Sequence, residues 1–277
     1  NVTVVIPCYN DGAYIMKALQ SVLTQTVLPS KIYIIDDGSR VETRDVLKKI
    51  NNELVEIIYQ KNQGVCSARN NGIEKATTKY ILTLDADDYF ENIFIEKSIH
   101  ILDYTIEVGV VCCYYKEFGV GVVNKDIIKP EGRTVTDFLS KNNGVASALF
   151  RKNCWVEVGG YDTGFKKGYE DWDFWLSILS NSWRMEIIKE PLFNYRKKTT
   201  SRDTDAIAHY DEELRMKIFE KHKDIYTANL NLFMQQMLYK NNLAKNHLEK
   251  LQKGREYRLG DTLLSPLKFL KHLVSTK

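Results

Sequence analysis

Two short stretches of the chain concentrate carboxylates. "LDADDYF" (residues 84–90) places Asp85, Asp87 and Asp88 within four positions at the end of an apolar run. "GYEDWDFW" (residues 168–175) places Glu170 and Asp171 beside Trp172 and Trp175. Like charges at this density repel, and burying them is costly unless something positive sits among them. A divalent cation is one candidate. Mg2+ and Mn2+ prefer oxygen ligands, and they typically use one or two carboxylates with substrate phosphates completing the shell. The plain alternative for Asp88 is a helix cap. The Glu170–Asp171 pair also reads in two ways. It can be acid gathered at the positive end of a helix dipole, or a general base in a partly aromatic pocket. The two tryptophans either stack on a sugar ring or fill core.

The elements that must position these residues alternate in type. Apolar runs at "VTVVIP", "KIYIIDDGS", "LVEIIYQ", "KYILTLDADD" and "GVVCCYY" read as strands. Between them, "GAYIMKALQSVLTQT", "VETRDVLKKI", "GVCSARNNGIEKA" and "IFIEKSIHIL" carry helical spacing. Such alternation predicts βαβ units and a largely parallel α/β sheet flanked by helices. Ligands of such sheets bind beyond the carboxyl ends of the strands. Three strands end in polar groups, "PCYN", "DDGS" and "DADD", so one polar site is expected along a single sheet edge. Residues 116–145 lose the pattern; "VASALF" then reads as a strand and "YEDWDFWLSILS" as a helix. Residues 204–249 read as two long helices. The boundaries predicted are an α/β domain over 1–203 and a helical extension over 204–277.

Several classes are excluded. Neither GxGxxG after a strand nor GxxxxGK[ST] occurs, which removes dinucleotide and P-loop chemistry; HExxH and GxSxG are absent too. A formal net charge of +3 over 277 residues gives no reason to expect a nucleic-acid partner. The five cysteines include no CxxC pair, so they read as reduced, mostly buried thiols of a cytosolic protein. No leader pattern opens the sequence, and no apolar run reaches the roughly 18–20 residues that span a bilayer.

Taken together and in order, "VVIPCYN", "IIDDGS", "NQGVCSARNNGI", "YILTLDADDYF" and "GYEDWDFWLSIL" resemble the family 2 glycosyltransferases, inverting enzymes of the GT-A fold found in bacterial surface-polysaccharide synthesis. The match covers roughly residues 2–200. The resemblance implies a nucleotide-sugar donor, UDP-linked, and a glycan or lipid-linked glycan acceptor. By the same resemblance Pro7, Tyr9 and Asn10 line the base and ribose pocket. Asp36 or Asp37 accepts hydrogen bonds from the base, as a carboxylate can from a uracil N–H. Arg69 lies near the diphosphate or braces the carboxylates; its plain alternative is a structural ion pair. Asp85 binds the donor ribose, Asp87 holds the Mn2+ or Mg2+ that bridges the diphosphate, and Asp171 is the base with Glu170 as its neighbour. Donor choice is expected from pocket shape, and acceptor choice from residues 116–145 and the helices.

One segment departs from the family pattern. Family members often carry a "YRxHxxS"-like stretch whose His completes the metal or diphosphate site, whereas this chain has "YRKKTTS" with Lys198 at that place. A protonated ammonium cannot ligate a metal but can meet phosphate as a point charge. Lys198 therefore shares the neutralisation of the diphosphate, or belongs to a solvated basic loop. Further on, "LLSPLKFLKHLV" spaces apolar residues along one helix face in a tail where Lys and Arg outnumber Glu256 and Asp261. Residues 260–277 thus read as an anchor on the inner face of the cell membrane, or as a helix docked on the catalytic domain or a second subunit. The rival readings of the whole chain are a sugar-nucleotide pyrophosphorylase and a catalytically silent glycan-binding subunit. The first would show a Gly-rich loop ending in Arg after the first strand, which "PCYNDGAY" lacks.

Overall fold

A run of seven residues without one exposed side chain opens the fold: β1 (Val2–Cys8) is wholly buried. Continuous burial marks a strand covered on both faces, as in parallel sheets with helices on either side. The computed structural model describes residues 1–123, 126–254, 257 and 259. After β1 come α1 (Ile15–Leu23), β2 (Lys31–Asp37), α2 (Val41–Leu47), β3 (Val55–Gln60), α3 (Val65–Lys75) and β4 (Tyr80–Thr83). Next are β5 (Tyr89–Phe90), α4 (Phe94–Tyr104), β6 (Val108–Gly119), β7 (Ile127–Ile128), β8 (Leu149–Arg151), α5 (Lys152–Val158) and α6 (Glu170–Ser180). The last are β9 (Arg184–Lys197), α7 (Arg202–Asp205), α8 (Asp211–Lys221), α9 (Lys223–Ala228) and α10 (Leu230–Lys253).

The described strands form one mixed sheet of order β3-β2-β1-β4-β8-β6-β9-β5, with β7 added to β6. Strands β3, β2, β1 and β4 are parallel, β8 runs against β4 and β6, and β9 is parallel to β6. Register levels the strand ends: Cys8 sits opposite Asp36, and Asp37 opposite Gln60. Segments leaving β1, β2 and β4 therefore emerge on one edge. Close packing holds the layers. A Cβ on Gly72 would come within 2.5 Å of Val5 Cγ1, so only glycine lets α3 lie this close to β1. Gly38 takes φ +77 at the turn after β2, a conformation that favours glycine.

The parallel half follows the alternation of the sequence. Other parts differ from it. β6 continues to Gly119, well into the stretch where periodicity fails, because it pairs along its length with β9. β9 itself is not evident from "RMEIIKEPLFNYRK", whose pattern is broken by Pro191 at a register shift between Cys113 and Tyr115. β8 is confined to Leu149–Arg151. The helical stretch after residue 203 is divided among α7, a π-helical turn at Ala206–Tyr210, α8, α9 and α10. Asp88 does not cap α4, whose N-cap is Ile93; its Oδ1 accepts the Arg196 backbone N–H at 2.7 Å. Two compact units result, Asn1–Ala228 and a second beginning at Asn229, so α7, α8 and α9 belong to the first. Residues 260–277, where the sequence suggests a basic amphipathic helix, lie outside the described residues. Among those described, no helix is long and apolar enough to cross a membrane.

Candidate active site

Along the edge where the parallel strands end lies a cleft of about 640 Å3. Its walls come from several places in the chain, among them Pro7–Asp11 at and after the end of β1, Asp37 at the end of β2, the N-terminus of α3, Asp85–Asp87 after β4, the start of α6, and the end of β9 with the segment that follows it. Adjacent strand residues point to opposite faces, and this separates the two acids of β2. Asp36 is fully buried and turns away from the cleft, accepting from Ser39 N and from Arg44 Nε at 2.9 Å. Asp37 faces the cleft and accepts from the Gln63 and Gly64 backbone N–H groups, each at 2.8 Å. Of the pair left open by the sequence, Asp37 is the one at the site.

Beneath the cleft, charges alternate. Arg69 is fully buried in α3, and its guanidinium donates to Asp85 at 2.7 Å and to Glu170 at 3.0 Å. Glu170 also pairs with Arg202. Burial raises the Asp85 carboxyl, but the Arg69 charge and hydrogen bond outweigh it, so Asp85 is held below the usual carboxylate range. Glu170, almost fully buried and bound by two guanidiniums, braces the floor of the site. Lys198 stands nearer the opening, with its ammonium 2.6 Å from Asp11 Oδ1 and 2.8 Å from Asp87 Oδ2. Burial raises the Asp87 carboxyl, with Asp85 and Asp11 adding to the effect against the Lys198 hydrogen bond. Lys198 is therefore part of the site and not a solvated loop residue.

Asp171 has a different environment. It is the second residue of α6, which begins abruptly after Tyr169, a left-handed residue at φ +63, and whose first turn faces the cleft. Among the described residues no cation pairs with it; Asn142 Nδ2 donates to its Oδ2 at 2.7 Å. Burial first, and then the charges of Glu170 and Asp203, push its carboxyl up to about 7. A carboxyl poised near neutrality beside a cleft suits proton abstraction.

The donor set suits a hard cation in kind. Asp87 offers carboxylate oxygen at the cleft surface, and Asp85 and Asp11 lie beside it. Among the described residues no group of three or more His, Cys, Asp or Glu side chains forms a protein-only metal cage. One or two carboxylates with phosphate oxygens is the usual Mg2+ arrangement, so Asp87 fits such an ion with a diphosphate as co-ligand.

The cleft brings together Pro7, Tyr9, Asn10, Asp37, Asp85, Asp87, Lys198, Glu170 and Asp171, with Arg69 directly beneath. Trp172 and Trp175 are core residues, both buried. All five cysteines are buried free thiols. Sequence reasoning missed Asp11, Asn142, Tyr195, Arg202 and Asp203. The last two were accessible in principle: "SRDT" forms a capping box in which Ser201 and Thr204 bond reciprocally, which signals a helix start just after "YRKKTT". That turn returns Arg202 to Glu170 and sets Asp203 against the Tyr195 hydroxyl at 2.6 Å.

Comparison with known proteins identifies the family and the fold. The model of glycosyl transferase family 2 matches residues 3–161. Glycosyltransferase GlyA of Streptococcus pneumoniae serotype 4 is 31% identical over 112 residues, 39% of this chain but 16% of that protein. The chondroitin synthase of Escherichia coli is 33% identical over 115 residues, 41% of this chain and again 16% of its own length. TuaG of Bacillus subtilis strain 168, a glycosyltransferase provisionally named for teichuronic acid biosynthesis, is 28% identical over 205 residues, 70% of this chain and 78% of TuaG. Among solved structures, S. aureus TarS 1–349 in complex with UDP-GlcNAc superposes with a TM-score of 0.63 at 19% identity, covering 74% of this chain and 61% of that one. Its complex with UDP gives 0.59 over 72% and 61% at the same identity. The likeness to TarS is one of fold, the GT-A arrangement expected from the sequence.

Proposed function

The chain belongs to glycosyl transferase family 2, and from that premise we propose that it moves a sugar from a UDP-linked donor to a hydroxyl of a glycan or lipid-linked glycan, with inversion. The observation that carries this reading is the meeting of Asp37, Asp87, Lys198 and Asp171 around one cleft. Uridine would lie over Tyr9, Pro7 and Asn10, with Asp37 as acceptor for the base N–H. The diphosphate would approach Lys198, which can neutralise it directly as a point charge. Mn2+ or Mg2+, held by Asp87, would add neutralising charge on the leaving nucleoside diphosphate. Arg69 and Arg202 hold Glu170 in place, so the backbone of the first turn of α6 is anchored while Asp171 is held by the Asn142 amide. Asp171 takes the proton of the attacking hydroxyl, which displaces the leaving group in one step; no covalent enzyme intermediate is required. The carboxylates of the floor act by position and charge.

Support for the donor class comes from the TarS complexes, which hold UDP and UDP-GlcNAc. A thermal-shift series with nucleotide sugars, each with and without Mn2+, tests it. Ligands that bind only the native state raise its melting temperature. A UDP-sugar is expected to raise it more than the matching GDP- or CMP-sugar. Equal, negligible shifts for all of them would remove the donor assignment. The basic amphipathic pattern of residues 260–277 supports peripheral contact with an anionic membrane, each nearby Lys or Arg adding about 1 kcal/mol. The full chain should float with vesicles containing anionic lipid, and a chain ending at residue 259 should not. Unchanged flotation of the shortened chain would favour the docked-helix reading.

A further inference from the structure

A second hollow, of about 240 Å3, opens beside the cleft. The two share Asp85, Ala146, Asp171, Tyr195 and Asp203 as a common wall. Asp171 thus borders both spaces, and Asn142, which holds its Oδ2, lines only the smaller one. If the larger cleft holds a nucleotide sugar, a molecule seated in the smaller hollow presents its hydroxyl to Asp171 from separate space. This much rests on the function proposed above.

The lining then says what kind of molecule fits. Tyr115 stands edge-on to Tyr195 and Phe193, with ring centroids 6.3 and 6.2 Å away. These rings offer a corner of apolar surface suited to the C–H face of a sugar ring. Five acids also line it, Asp85, Asp88, Glu117, Asp171 and Asp203, among the small or neutral Asn142, Gly144, Val145, Ala146 and Ser147. Among the described lining residues Lys197 alone is cationic, and its ammonium is engaged by Glu117 at 3.0 Å. Asp85 is neutralised from behind by Arg69. An anionic group placed here would find no free cation, and it would face Glu117 and Asp203 as well as the diphosphate next door. Sugar hydroxyls, by contrast, donate to carboxylates.

We propose that the smaller hollow receives the terminal acceptor residue, that this residue is an uncharged sugar, and that Glu117 and Asp203 set the choice by excluding uronates and phosphorylated sugars. Glu117 on β6 and Asn142 in the loop before β8 fall within residues 116–145, Tyr115 lies just before them on β6, and Asp203 lies in α7.

Ligand-observed NMR on the full chain loaded with UDP tests this, with methyl β-glucoside, methyl β-galactoside and methyl β-N-acetylglucosaminide as neutral probes and methyl β-glucuronide as the anionic one. At least one neutral glycoside should bind at least about tenfold more tightly than the glucuronide, a discrimination of the size a single unpaired charge gives. Tyr115→Ala should weaken that glycoside at least about fivefold and leave UDP affinity unchanged. Glu117→Gln, a partly exposed position that tolerates the change, should release Lys197 and strengthen glucuronide binding at least about threefold. Three results would overturn the assignment while leaving the donor reading intact: no neutral glycoside bound to UDP-loaded protein, a glucuronide bound equally well, or neutral binding unchanged in a Tyr115→Ala protein that still takes UDP. Failure of the wild-type chain to bind UDP would instead overturn the donor reading and this proposal with it.

Discussion

Asp171 and Glu170 are neighbours in sequence for which opposite tasks are proposed, and the difference lies in what surrounds each. Glu170 is buried between Arg69 and Arg202, so its charge is compensated. Asp171 has an asparagine amide for company and two negative neighbours. A carboxylic acid with its ionised form disfavoured is a stronger base once deprotonated. The sign for catalysis follows. The base acts in its ionised form, and its carboxyl is raised to about 7. Below that pH the rate is expected to fall about tenfold per unit, and above it to level off. The check is initial transfer rate against pH at limiting acceptor and saturating donor. A profile flat down to pH 5 would contradict the environment assigned to Asp171. The residue types and spacing alone do not divide these roles; in the sequence only the family resemblance assigns the base to Asp171. "GYED" shows two adjacent acids, whereas Arg69 lies 101 residues from Glu170 and meets it only in the folded chain.

At the scale of elements, Arg69 joins three of them: it sits in α3, holds the loop after β4 through Asp85, and holds the start of α6 through Glu170. Replacing it by methionine removes the guanidinium and leaves two carboxylates facing each other across a buried gap. Breaking a buried pair from one side typically costs about 3–5 kcal/mol, and Arg202 remains for Glu170, so about 3 kcal/mol is expected for Arg69→Met. Urea unfolding monitored by circular dichroism measures it; a loss under about 1 kcal/mol would show that the network contributes little. Elements also mark the limit of what the sequence discloses. Strands β1, β2 and β4 announce themselves by the short apolar runs that covered strands carry, and the three ends converge as the parallel rule demands. β9 stays hidden because half of it is polar and Pro191 interrupts its pattern, while its pairing partner β6 lies far upstream. The consequence is functional. β9 is the element that delivers Tyr195, Arg196 and Lys198 to the cleft, so missing it conceals how the "YRKKTTS" segment reaches the carboxylates. Arg196 is fixed there by the rings of Tyr14 and Phe118, 4.3 and 4.4 Å from its guanidinium carbon. Lys198 nevertheless could be placed from sequence, since the family pattern supplies a position for it.

At the scale of the whole molecule, the first compact unit holds both hollows and every residue proposed for the chemistry. A sheet that is parallel on one side and mixed on the other gives the two spaces different walls. The parallel half supplies Pro7, Asp37 and Asp87 to the cleft proposed for the nucleotide, and the β6–β9 side supplies aromatic and acidic groups to the hollow proposed for a second substrate. Asp171 stands where they meet, so the account depends on that carboxylate acting on the chemistry and not on donor binding. The most direct measurement pairs UDP calorimetry with a transfer assay on the Asp171→Asn chain. Substitution keeps the side chain's size and removes the base, and loss of a general base typically costs about 10²–10⁴-fold in rate. The account predicts that UDP affinity stays within about twofold of wild type while transfer falls by at least two orders of magnitude. Transfer at the wild-type rate by Asp171→Asn would contradict it.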